Sequence, residues 1–316
     1  MLKPAIDGFG HRLKESGKSV KNKERVMKIL VTGANGHLGS KVVEHLLATV
    51  PAKNVAVSVR DPGKAAALGA RGVEIRKGDF EDPVSLANVF AGIDRLLIIS
   101  VMGDNETRTR LHLNAVAAAK KAKVGYLAYT SLAKADSSTL WLGEVHRATE
   151  KAIRETGIPY TLLRNNWYIE NELDLIQSIA SGGPLVTSAG NGRVSWAPRA
   201  DYALAAANVL SGSGHENKTY ELSGPSATYM DLAAALSKVL GREVPVRQAD
   251  DNALGTALAG MGVPHEMIPF AVGIHAAIRQ GALDVKSKDF ETLLRRSVTP
   301  LKSQLESVLK GLSVSA

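Results

Sequence analysis

The stretch Lys28-Ile-Leu-Val-Thr-Gly-Ala-Asn-Gly-His-Leu-Gly39 constrains the chain more than any other, because a short apolar run stops at Gly33 and apolar residues resume after Gly36 with helical spacing. In such a strand–turn–helix, glycine at 33 permits the tight turn, at 36 lets backbone approach a phosphate, and at 39 lets the helix pack on the sheet. The helix start adds N–H donors for an anion. The pattern reads as a dinucleotide-binding turn with Gly33, Ala34, Asn35, Gly36, His37 and Leu38 as its cradle. Three spaced glycines also occur in turns that bind nothing, so the reading needs support from the rest of the chain.

From Met27 onward, β-rich runs alternate with helical patterns, which predicts a parallel sheet. Strands are expected near Lys28–Thr32, Val55–Val59, Val73–Arg76, Arg95–Ser100, Tyr126–Thr130 and Tyr160–Leu163, with helices near Leu38–Thr49, Lys64–Ala70, Pro83–Phe90, Thr107–Lys121 and Glu144–Thr156. Right-handed crossovers turn that order into a doubly wound, Rossmann-type α/β fold over 27–165. Residues 166–316 read as a smaller α+β substrate lobe, with about 199–222 returning to the first domain and Lys218–Leu222 forming a further strand. There, Ser188-Ala-Gly-Asn-Gly192 reads as a hairpin tip, Tyr229–Leu240 as a helix stopped by Gly241, and Ala253–Ala271 as a mobile apolar wall of the lobe or, equally, a plain helical core patch. Asp289–Leu312 reads as a helical docking tail.

Composition narrows the function classes. The 316 residues contain no cysteine, so disulfides, thiolate metal sites and a cysteine nucleophile are excluded. Apolar runs such as Leu96–Ile99 are strand-sized, which points away from a membrane span and toward a cytoplasmic protein. The formal charge of +8 raises nucleic acid as a partner, but half of the excess lies in residues 1–26, where Lys3, Arg12, Lys14, Lys18, Lys21, Lys23 and Arg25 face only Asp7, Glu15 and Glu24. That segment reads as a solvated, disordered extension or as sequence upstream of a natural start at Met27. A small-molecule site without nucleic acid or metal is expected, in a monomer or homodimer.

Ligands of such sheets sit outside the carboxyl ends of the strands. After the second strand, Arg60 offers a planar fork for a 2′-phosphate and so points to NADP, while neighbouring Asp61 keeps the NAD reading open. Asp79 and Phe80 are placed to bond and cover the adenine, and Ser100, Val101 and Met102 to lie beside the nicotinamide ribose.

With these residues in hand, the chain resembles the NmrA-like atypical short-chain dehydrogenases, and within them the type 2 NADPH:quinone oxidoreductases and triphenylmethane reductases. The resemblance rests on Thr32–Gly39, Val59-Arg60, Ala128-Tyr-Thr-Ser131, His146–Lys151, Leu162-Leu-Arg-Asn-Asn-Trp-Tyr-Ile-Glu-Asn171 and Arg199-Ala-Asp-Tyr202. It implies that Arg164, Asn165, Asn166, Trp167 and Tyr168 line the nicotinamide and substrate side, and that Trp196–Arg199 closes the same pocket.

A ketone-reducing relative uses a tyrosine four residues before a lysine to deliver a proton. If His146 marks the lysine position, Leu142 stands in place of the tyrosine, which narrows the chemistry to acceptors needing no strong acid: a quinone, or a triphenylmethyl cation. His146 reads either as a ligand of the nicotinamide ribose or quinone, or as a structural residue paired with Glu150 one turn on. Ser131 reads as a donor to a substrate carbonyl or as a loop cap, and Trp167 and Tyr168 as stacking surfaces or ordinary core. The leading expectation is an NADPH-dependent quinone reductase that works by positioning. The alternatives are a non-catalytic NADP(H)-sensing regulator and a triphenylmethane dye reductase.

Overall fold

The computed structural model describes residues 27–315, so the expected disorder of 1–26 lies outside the described residues. The strands are β1 (Ile29–Thr32), β2 (Val55–Val59), β3 (Glu74–Lys77), β4 (Arg95–Ile98), β5 (Tyr126–Leu132), β6 (Tyr160–Asn165), β7 (Leu185–Thr187), β8 (Arg193–Val194), β9 (Lys218–Leu222), β10 (Ala227–Thr228) and β11 (Val246–Gln248). Seven of them form one parallel sheet in the order β3-β2-β1-β4-β5-β6-β9. The expected doubly wound fold is therefore present, and its order reverses between β1 and β4, the switch point at whose carboxyl ends such sheets hold ligands.

The α-helices of the first half are α1 (His37–Leu47), α2 (Ala66–Ala70), α3 (Pro83–Val89), α4 (Asn105–Lys121) and α5 (Gly143–Glu155). Those of the second half are α6 (Leu173–Ala180), α7 (Arg199–Ser211), α8 (Tyr229–Leu240), α9 (Asp251–Gly260), α10 (Ile268–Arg279), α11 (Asp289–Leu294) and α12 (Leu301–Ser315). Because side chains alternate along a strand, β5 sends Tyr126 and Ala128 to the face covered by α1, α7 and α11, and Leu127 and Tyr129 to the face covered by α3, α4 and α5. A third apolar cluster, built from α6, α8, α10 and α12, fills the second lobe. From the second half of the chain, α7 packs on α1 and β9 completes the sheet.

Two readings of the second half need correction, the hairpin and the unbroken tail, and a third is refined. Ser188–Gly192 is not a hairpin tip, since β7 pairs with β11 and β8 with β10. The turn instead docks on α10, where Arg279 donates to the Ser188 carbonyl and Gly192 approaches the Ile278 carbonyl too closely for any side chain. The wall at 253–271 is two helices separated at Gly262, whose φ of +82° ends the first. The tail likewise breaks after α11, where Arg295 takes a left-handed φ of +57° before Pro300.

Candidate active site

The glycine turn has the geometry its sequence predicts. Gly33 adopts φ +63°, and Gly36 N–H closes the turn onto the Gly33 carbonyl at 2.9 Å. A Cβ on Gly39 would run into the Gly33 carbonyl and lie 2.9 Å from Ala34 Cα, so the helix and turn touch through this glycine. Gly36 caps α1 with no side-chain hydrogen bond, and Gly33, Asn35, Gly36 and His37 are exposed, while Ala34 and Leu38 anchor the turn in the core. The first-turn N–H groups thus face the crevice without a side-chain acceptor, which fits a pyrophosphate.

One strand over, Asp61 turns its carboxylate onto Gly63 N–H at 3.0 Å and caps the following turn. Arg60 is exposed and makes no ion pair or hydrogen bond among the described residues. An unengaged guanidinium beside a committed carboxylate fits a 2′-phosphate better than a ribose diol. At the end of β3, Asp79 accepts from Glu81 N–H, and Phe80 is half-buried against the α3–α4 face, with its carbonyl bonded by Asn114.

Side chains from neighbouring elements fix the segment after β4 residue by residue. Ile99 N–H donates to Thr32 Oγ1 at 3.0 Å, Ser100 N–H to Thr130 Oγ1 at 2.9 Å, and Val101 N–H to His112 Nε2 at 3.0 Å. The Val101 carbonyl accepts from Arg108 Nε at 2.9 Å. Met102, next in line, is 90% exposed. Behind this segment lies a buried network from α4, α5 and β5. Tyr129 Oη meets His146 Nδ1 at 2.8 Å, His146 Nε2 meets Arg108 Nη2 at 3.3 Å, and His112 Nδ1 meets Thr149 Oγ1 at 3.1 Å. Burial lowers both His112 and His146 to about 3, with the Arg108 charge adding to the effect.

His146 therefore does not pair with Glu150, and Leu142, four residues earlier, is half-buried against the second lobe. Glu150 instead accepts from Ser131 Oγ at 2.6 Å and holds Arg164 in a bidentate pair. Arg164 also reaches Glu221 at 3.0 Å and Asp136 at 3.1 Å. Ser131 and Arg164 thus spend their polar groups on joining β5, β6, β9 and α5. Asn166 is equally committed, to Ser223 Oγ, the Leu283 carbonyl and Trp167 N–H.

Tyr168 and Trp167 remain half-exposed at the carboxyl end of β6. Asn165 Nδ2 donates to Tyr168 Oη at 2.9 Å, Tyr202 packs edge-on against its ring at 4.9 Å, and the Arg199 guanidinium lies 5.1 Å from its centroid. Trp167 and Trp196 both donate their indole N–H to Glu172, at 3.0 and 3.1 Å, and Tyr229 donates to the same carboxyl group. Trp196 is buried in the second-lobe core and does not close the pocket as expected; Arg199 does stand over Tyr168.

Sequence reasoning missed Arg108, His112, Tyr129 and Glu172. A signal for the first two was present: 108, 112, 115 and 119 recur at helical spacing and form the inward face of α4. The described residues contain no cluster suited to a metal ion, and no helix among them is long and apolar enough to cross a membrane.

Residues 33–211 match the model of the NAD(P)H-binding family. Quinone oxidoreductase 2 of Escherichia coli (strain K12) is 40% identical over 274 residues, 86% of this chain and 96% of that protein. The Citrobacter sp. triphenylmethane reductase complexed with NADP(H) superimposes with a TM-score of 0.86 at 40% identity, over 89% of this chain and 100% of that one. The NADPH-dependent quinone oxidoreductase of Escherichia coli complexed with NADPH gives 0.84 at 39%, over 89% and 99%.

Proposed function

The chain belongs to the NAD(P)H-binding family and is an NmrA-like, NADP-dependent reductase, and from that premise we propose that it reduces a quinone by hydride transfer in the crevice between the glycine turn and the second lobe. Bound NADPH supplies the hydride. The α1 N-terminus and Gly36 hold the pyrophosphate, Arg60 the 2′-phosphate, and the backbone of Ser100 and Val101 supports the nicotinamide ribose. Trp167 and Tyr168 offer flat faces to a planar acceptor beside that ring. Met102 and the second lobe limit access of water.

The observation that carries the choice of acceptor is the state of positions 142 and 146. An apolar Leu142 and a His146 bonded on both ring nitrogens offer no proton to a substrate oxygen. A hydroquinone anion is far less basic than an alkoxide and takes its proton from water, so the residues need only position the reactants. We further propose that 27–165 carries the cofactor and 166–316 shapes the acceptor pocket. The test follows NADPH oxidation with 1,4-benzoquinone, a naphthoquinone and a triphenylmethane dye above the uncatalysed rates. Turnover of the quinones is expected. Tight NADPH binding with no turnover of any acceptor would leave only a sensing role and defeat the proposal.

A further inference from the structure

Arg108 is a buried cation with no anion. It is 7% exposed, it forms no ion pair among the described residues, and its partners are the Val101 carbonyl and the neutral ring of His146. Burying a charge without a counter-charge is costly, and buried guanidinium groups are ordinarily matched by carboxylates, as Arg164 is here. The network around Arg108 is arranged to keep its charge unshared. Val101 N–H donates to His112 Nε2, which leaves the His112 proton on Nδ1, facing Thr149. Arg108 donates to His146 Nε2, which puts the His146 proton on Nδ1, facing Tyr129. Thr149 passes its own proton to the Val145 carbonyl at 2.7 Å. Every ring nitrogen is satisfied with both histidines neutral.

The location of this charge gives it a use. Arg108 and His112, one turn apart on α4, grip the two polar groups of Val101, so the guanidinium lies directly behind the segment after β4, at the sheet's switch point. It also lies against His146, one helical turn after Leu142.

We propose that Arg108 supplies, from α4, the fixed positive charge that stabilises the hydroquinone anion formed in the crevice. The inference rests on the quinone reading above. Hydride uptake at one quinone oxygen forms an O–H bond, converts the carbonyl π pair into ring electrons and leaves a two-electron-reduced monoanion beside NADP+; water supplies the second proton. Uptake by a triphenylmethyl cation forms a C–H bond and leaves a neutral product, so no anion arises. Arg108 acts through the protein without touching the acceptor and is a positioning residue.

The two acceptors separate charge from geometry. Arg108→Gln is expected to lower kcat with a naphthoquinone about tenfold more than kcat with a cationic triphenylmethane dye, and Arg108→Lys to keep the wild-type ratio. Equal losses on both acceptors would reduce Arg108 to a loop anchor and overturn the proposal. A second readout needs no turnover: 4-nitrophenol bound to the NADP+ complex is expected to ionise at lower pH in the wild type than in Arg108→Gln, and ionisation at the same pH in both would overturn it. Wild-type failure to reduce any acceptor would contradict the quinone reading, while the nitrophenol titration would still decide the charge.

Discussion

Arg164 meets Glu150 through two hydrogen bonds, Nε to Oε1 at 2.9 Å and Nη2 to Oε2 at 2.8 Å, in a pair almost wholly withdrawn from solvent. The geometry is the bidentate fork that makes arginine–carboxylate pairs directional. Its bonds to Glu150 and Glu221 hold the guanidinium in its charged form against the opposing effect of burial. The pair joins β6 to α5, and through Ser131 and Glu221 it ties in the ends of β5 and β9.

Removing one partner leaves the other charge buried and unmatched. Arg164→Ala is expected to destabilise the protein by about 3–5 kcal/mol, read as a lower urea midpoint at an unchanged slope. A loss well under 1 kcal/mol would mean that the pair is not buried in solution.

The close contact at Gly39 predicts a local failure of the cradle. Gly39→Ala places a methyl group against the Gly33 carbonyl, which pushes the α1 N-terminus off the turn. NADPH affinity, followed by nucleotide fluorescence, should fall at least about tenfold, the cost of roughly 1.4 kcal/mol of misfit. Affinity within a factor of two of wild type would contradict the direct packing of turn on helix.

Arg60 stands free while Asp61 is occupied with Gly63, so cofactor choice is expected to rest on Arg60 alone. Arg60→Glu should weaken NADPH far more than NADH, by about a hundredfold for loss of a charge-assisted phosphate contact and its replacement by repulsion. Equal weakening of both nucleotides would remove Arg60 from 2′-phosphate recognition.

Acid should destabilise the fold through its buried histidines. Burial lowers His112 and His146 to about 3 and His275 to about 4. The unfolded chain, with ordinary histidines, binds more protons than the native state from about pH 6.5 down to those values, so stability falls as pH falls through that window. Each histidine contributes a slope of about 1.4 kcal/mol per pH unit where only the unfolded form is protonated. Denaturation measured between pH 7 and 5 should show this loss, reduced by one histidine's share in His112→Asn. A flat profile would mean that these rings reach water in the native state.

The inner strands were legible because a buried parallel strand is a largely continuous apolar run closed by turn residues; β2 falls on its predicted bounds. The glycine turn was equally legible, since backbone conformation dictates its residue types. The turn at 188–192 differs from a hairpin because Gly192 and the Ser188 carbonyl meet α10, and local turn chemistry does not reveal which distant element a loop docks on. Polar partnerships across elements were invisible for the same reason. Arg108 and Arg110 stand two residues apart in one charged stretch, yet Arg110 pairs with exposed Glu81 and Arg108 is buried behind Val101. Glu172 reads as a surface residue until two tryptophans and a tyrosine converge on it.

The most direct test of the account is the steady-state reduction of 1,4-naphthoquinone by the wild-type protein with NADPH and with NADPH deuterated in turn on each face of C4. Saturable turnover is predicted, with one quinone reduced per NADPH oxidised and slowing by deuterium on one face only. A rate no higher than the uncatalysed one, from protein that demonstrably binds NADPH, would contradict it.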